Sequence, residues 1–202
     1  MLVWKDCILS CDEETRIGLT TTTLSRRRFV RLGLFASAAG LLPSPALAAF
    51  WHVGRAARKL SFHNLHTDET LTTVYWADGK YVPGALSEIN YILRDFRRNE
   101  VKPIDARLLD LLYALRLNLD TNASFQVISG YRSPLTNAML RSATEGVAAH
   151  SLHLKGQAID LRVPGRDLSA VRGAALALRG GGVGYYPRSD FVHVDVGRIR
   201  TW

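Results

Sequence analysis

The stretch Ser25-Arg26-Arg27-Arg28-Phe29-Val30-Arg31 decides how much of this 202-residue chain can belong to a folded domain. It is a twin-arginine pattern with Phe29 two places after the pair. A modest apolar run follows over residues 32–42, rich in Ala, Gly and Leu. Pro43, Pro45 and then Ala46-Leu47-Ala48, an A-x-A cleavage pattern, close it. A charged start, a short apolar centre and a small-residue exit, in that order, make an export signal rather than a buried helix. The apolar centre is too short for a transmembrane span, which needs about 20 residues. Residues 1–23 are unusual for a signal, since they carry Asp12, Glu13, Glu14 and both cysteines, Cys7 and Cys11. The expected organisation is therefore an export signal with an N-terminal extension over 1–48 and one domain over 49–202. No stable membrane insertion is expected once the signal is removed.

Residues 49–202 contain no cysteine. This excludes a disulfide scaffold, a thiolate zinc site and a cysteine nucleophile, and it suits an oxidising compartment such as the periplasm or cell envelope. The same residues hold 20 of the 26 basic side chains and 14 of the 18 acidic ones, a net charge of +6. A basic surface suits a polyanion, whether nucleic acid, anionic lipid or anionic cell wall. The basic residues are mostly scattered, and no recognised nucleic-acid motif is present, so a nucleic-acid partner is not expected.

Strand patterns occupy residues 60–63, 71–76, 125–128, 157–163, 183–186 and 191–196. Asp78-Gly79 is a turn signal. Pro83 opens a helix whose apolar stripe runs Leu86, Ile89, Ile92, Leu93, Phe96. Ile104-Asp105 opens a second, with Leu108, Leu111, Leu112 and Leu115. Ser133-Pro134 starts a third that ends near Arg141, and Asp167 or Ser169 caps a fourth running through Leu178 to the break at Gly180-Gly181-Gly182. Without regular βαβ alternation, the order predicts an α+β fold with a mainly antiparallel sheet flanked by helices.

The segment Ser151-Leu152-His153-Leu154-Lys155-Gly156-Gln157-Ala158-Ile159-Asp160 sets a His and an Asp seven apart, with a Gly between them for a tight return. Phe191-Val192-His193-Val194-Asp195 sets a second His on a strand. Two imidazoles and a carboxylate make a catalytic zinc shell with a position left for water, whose pKa then falls towards neutrality. On spacing alone, a satisfied core histidine at His193 stands beside the ligand reading.

The pattern S-x-H-x-x-G-x-A-x-D with a late H-x-D resembles the M15-type D-Ala-D-Ala metallopeptidases, and within them the murein endopeptidase K-like branch. Ser129-Gly130-Tyr131-Arg132-Ser133-Pro134, Asn137, Leu140-Arg141, His66-Thr67, Gly184-Tyr185-Tyr186-Pro187 and the closing Arg200-x-Trp202 match as well. The resemblance covers roughly residues 60–202. It implies a hedgehog/DD-peptidase-like fold, one Zn2+ per chain on His153, Asp160 and His193, Asp190 as general base, and Arg132 on the polarised carbonyl oxygen. It implies peptidoglycan as substrate, with hydrolysis of its peptide cross-links, either between two diaminopimelate residues or between D-Ala and diaminopimelate. A D,D-carboxypeptidase or dipeptidase on the same fold, and a non-catalytic wall-binding module, are the competing readings. Asp195 is open between orienting His193 and lying beside the metal. His150 departs from the pattern, as a substrate contact or a decoy ligand. Of His52, His63 and His66, the last is the one most worth following.

Overall fold

In the computed structural model, which describes residues 56–143 and 147–202, the stretch expected to be an export signal, both cysteines and His52 lie outside the described residues. Strand β1 (Arg58–Asn64) turns back into β2 (Thr70–Ala77), and Asp78-Gly79 turns β2 into the short β3 (Lys80–Tyr81). Helix α1 (Pro83–Ile92) starts on its proline, whose fixed φ and missing N–H suit a first helical position. It stops at Ile92, so Phe96 does not continue the apolar stripe. The chain breaks there into a turn closed by an Asp95–Glu100 bridge, with Asn99 at φ 53°, and Phe96 stacks on His66 instead. Helix α2 (Ala106–Asn118) follows, then β4 (Phe125–Ser129) and α3 (Pro134–Ala143). A 3-10 turn (Leu152–Lys155) leads to β5 (Ala158–Arg162), then α4 (Leu168–Leu178), β6 (Gly182–Tyr186), β7 (Phe191–Asp195) and β8 (Arg200–Thr201). Asp167 stands at the start of α4, but its side chain makes no capping bond.

The eight strands form one sheet in the order β3-β2-β1-β4-β5-β7-β6-β8. Only β1/β4 and β6/β8 pair in parallel. The α+β expectation with a mainly antiparallel sheet therefore holds. Among the described residues the sheet has two strands more than the pattern predicts: β3 and β8 span two residues each, too short to display a period.

Strand side chains alternate between the two faces of the sheet. Phe125, Val127, Ile159, Leu161, Val192 and Val194 point one way and are buried in a core shared with Ile89 of α1, Leu108 and Leu112 of α2 and Val171 of α4. Each such side chain contributes about 1.5–3 kcal/mol on burial. Asp160 of β5 and His193 of β7 point the other way. Among the described residues, no helix is long and apolar enough to cross a membrane.

Candidate metal centre

Strand register brings the site together. Asp160 is paired directly with His193, and on its other side with Ser129. Ser129 reaches this row through an irregularity in β4. Between Val127 and Ser129 the register gains a residue against β5, which moves Ser129 from the core face onto the site face. A bulge re-aims a side chain in just this way. His153 comes from outside the sheet, on the 3-10 turn. Ser151 caps that turn by accepting from His153 N–H (3.3 Å), and Gly156 ends it in the left-handed conformation, φ 66°. A Cβ at Gly156 would run into the Pro103 carbonyl, so the residue type is fixed by space as well as by φ.

His153 Nε2, Asp160 Oδ1 and His193 Nδ1 converge: the separations are 3.2 Å for His153 to Asp160, 2.8 Å for His193 to Asp160 and 3.2 Å between the two rings. All three residues are buried. The outer ring nitrogens are already committed. His153 Nδ1 donates to the Gly130 carbonyl (2.6 Å), and His193 Nε2 donates to Asp195 Oδ2 (3.1 Å). With protons on the outer nitrogens, the inner atoms present three lone pairs to one point, an arrangement that repels itself unless a cation sits between them. The donor set fits a divalent metal, and the carbonyl and carboxylate behind the rings are the partners that fix ligand tautomers.

The electrostatics of His153 and Asp160 agree. Burial lowers the pKa of His153 against the pull of Asp160, which favours the neutral imidazole a ligand requires. Burial works against ionisation of Asp160, yet His153, His193 and Arg132 outweigh it and hold the carboxyl well below the usual range. His193 is raised, because Asp160 and Asp195 on either side of the ring overcome its burial.

Asp195 is the residue whose role the sequence leaves open. Fully buried, it accepts from His193, from the backbone N–H of Gly182 (3.0 Å) and Gly197 (2.8 Å), and from Arg200 Nη2 (2.7 Å). Burial disfavours its charge, but these donors hold the carboxyl well below its ordinary pKa. It orients His193 from behind. Gly184 is His193's neighbour in the row, and its missing side chain admits the indole of Trp202, 5.2 Å from the imidazole centroid.

Arg132 stands at the centre: its guanidinium is ion-paired with Asp160, and Nε donates to Ser129 Oγ (2.8 Å). Asp190 is placed differently. It occupies the turn between β6 and β7 with φ 53°, is largely exposed, and its carboxylate is ion-paired with Arg162. Arg162 and Asp160 lie two apart on β5 and so share a face, which puts that pair roughly 7 Å along the sheet from the row of Asp160 and His193. A cleft of about 540 Å³ opens over His153, Asp160 and His193. His66 and His150 are exposed on its lining, and His63 lies elsewhere, bonded to Asp68. The Gly130 carbonyl, Ser129 and Arg200 have roles that no ligand spacing could reveal, although each falls inside a stretch that carries the family resemblance.

A family model described as peptidoglycan L,D-endopeptidase MepK matches residues 52–202. The chain belongs to this family. It is 45% identical over 178 residues to the peptidoglycan L,D-endopeptidase MepK of Escherichia coli K12, covering 88% of this chain and 97% of the relative. The Shigella flexneri protein of that name matches to the same extent. The probable peptidoglycan L,D-endopeptidase MepK of Haemophilus influenzae is 41% identical over 179 residues, covering 88% of this chain and 95% of the relative. The relatives are thus matched almost end to end, and the family model spans every residue of the site.

Proposed function

We propose that the chain is an exported zinc metallopeptidase that hydrolyses L,D-type peptide cross-links in peptidoglycan. The observation that carries this reading is the convergence of His153 Nε2, Asp160 Oδ1 and His193 Nδ1 at the floor of a cleft, in a member of a family described by that activity. Residues 1–48 act as a twin-arginine export signal and 49–202 as the catalytic domain, delivered to the periplasm or cell envelope. The family match beginning at residue 52 supports that boundary.

A zinc ion on these ligands supplies Lewis acidity and a water acidified towards neutral pH. Arg132 holds the scissile carbonyl oxygen. Two of its hydrogen bonds, to Asp160 and Ser129, fix the guanidinium, and donors remain for an oxygen that gains charge as the carbonyl becomes tetrahedral. Asp190 takes the proton of the attacking water and returns it to the departing amine. To do so its carboxylate exchanges Arg162 for the cleft, which its chain neighbours Ser189 and Phe191 line. The Asp190→Asn variant tests this role: metal binding stays intact while turnover falls by roughly 10²-fold or more. An Asn variant turning over at the parent rate would assign the proton to another group.

The overall reading is tested by incubating the zinc-loaded protein with intact peptidoglycan and separating the released muropeptides, with His153→Ala alongside. Loss of cross-linked dimers and gain of monomers, absent from the variant, is the expected result. Trimmed monomers instead would mean a carboxypeptidase. Tight wall binding with no change in muropeptides would mean a binding module.

A further inference from the structure

The charges lining the cleft are lopsided. Among the described residues that line it, Asp160 is the one acid, against Arg97, Arg132 and Arg200. Two of these arginines are committed to carboxylates of the site itself: Arg132 to Asp160 and Arg200 to Asp195. Arg97 is different. Its backbone N–H donates to Asp95 Oδ1 (3.1 Å), which anchors the turn after α1, and its guanidinium lies 4.3 Å from the Phe96 ring centroid. No carboxylate of the described residues lies within ion-pair distance of it. Partial loss of solvent on the cleft side lowers its pKa, as does the charge of Arg132, with Asp95 opposing, so the two guanidinium groups are close enough to feel each other. Two cations beside a cleft whose only acid among the described residues is already shared by a guanidinium and two imidazoles leave a place for an anion.

The proposed substrate carries one there. In a cross-link between two diaminopimelate residues, the D-centre that supplies the scissile nitrogen also bears a carboxylate, and that carboxylate stays free. We infer that Arg97 binds this carboxylate beside the scissile amide, so that the cleft selects cross-links with a free acid over amidated ones. This rests on the endopeptidase reading and makes Arg97 a specificity-determining residue for it. An Arg–carboxylate contact is charge-assisted and geometrically directed, whereas a carboxamide offers one weaker acceptor and no charge.

The test compares the full, zinc-loaded chain with Arg97→Gln and Arg97→Lys. Two synthetic cross-linked dimers are used, one with the free carboxylate and one with the carboxamide at that centre. Binding of the amine-side product peptide, in both forms, is measured by calorimetry. Arg97 is exposed, so the variants keep the fold, as unchanged melting curves will verify. The unaltered chain is expected to prefer the free acid by roughly tenfold in kcat/KM, mostly through KM, and by a similar factor in product affinity. The Gln variant loses the preference in both readouts, and the Lys variant keeps part of it. A Gln variant with the parent preference, or a parent chain indifferent to amidation, would overturn the inference. If neither dimer is cut yet the product peptides still bind with an Arg97-dependent preference, the carboxylate site stands and the endopeptidase reading falls.

Discussion

His193 presents Nδ1 to the ligand cluster because Asp195 holds the opposite nitrogen, and Asp195 is in turn pinned by two backbone N–H groups and Arg200. Removing such a partner typically lowers metal affinity 10–100-fold. The Asp195→Asn variant should therefore bind zinc roughly 10–100-fold more weakly in competition with a chromophoric chelator. Arg132→Lys should leave zinc affinity near the parent value but lower kcat by about 10²-fold, since a point charge cannot keep Ser129 and Asp160 while meeting a developing oxyanion. The three residues that converge, His153, Asp160 and His193, were legible in the sequence because few residue types can serve as ligands, and the glycine between His153 and Asp160 marks the turn such a grouping needs. The supports were not legible. Gly130 contributes a carbonyl, which no side chain advertises. Arg162, which holds Asp190, lies 28 positions from it, so only the fold reveals the contact.

At the scale of elements, Asp105 ties α2 to the loop that carries His153. Its side chain accepts from Arg107 N–H (3.0 Å) as an N-cap and from Gln157 Nε2 (3.0 Å), and its backbone N–H donates to the Gly156 carbonyl (2.9 Å). The Arg107 guanidinium, whose Nη2 donates to Asp105 Oδ2 (2.6 Å), together with the Arg107 N–H and Gln157 bonds, holds the Asp105 carboxyl down at about 2 against its partial burial. Unfolded, the group titrates near pH 3.9. A carboxyl lowered by folding stabilises above its unfolded pKa and loses that contribution as pH falls through the folded value. Asp105→Ala should thus cost about 1 kcal/mol at neutral pH. The difference in urea midpoint from the parent should shrink between about pH 4 and pH 2. Longer elements were readable from their periods: both strands that bear ligands, and the capped start of α2, fall close to where apolar spacing puts them. β3, β8 and the early end of α1 were not. Two residues show no period, and α1 stops through the tertiary turn at Asp95 while apolar spacing runs on to Phe96.

For the whole molecule, the proposed ligands His153, Asp160 and His193 link the 3-10 turn to two central strands, so zinc held by them would bind the folded state and not the unfolded one. At a free concentration 100-fold above its dissociation constant, a ligand of this kind stabilises by about 2.7 kcal/mol. Adding zinc should raise the melting temperature by several degrees, and His153→Ala should remove that rise. The direct pairing of Asp160 with His193 has one more consequence. Slipping β7 by one residue against β5 would turn every side chain of β7 over, burying His193 and exposing the apolar residues on either side of it. A misthreaded sheet would then be metal-blind, and zinc uptake on the proposed ligands would proofread strand pairing: a molecule that captured its ion would, by that act, certify the threading of its own sheet.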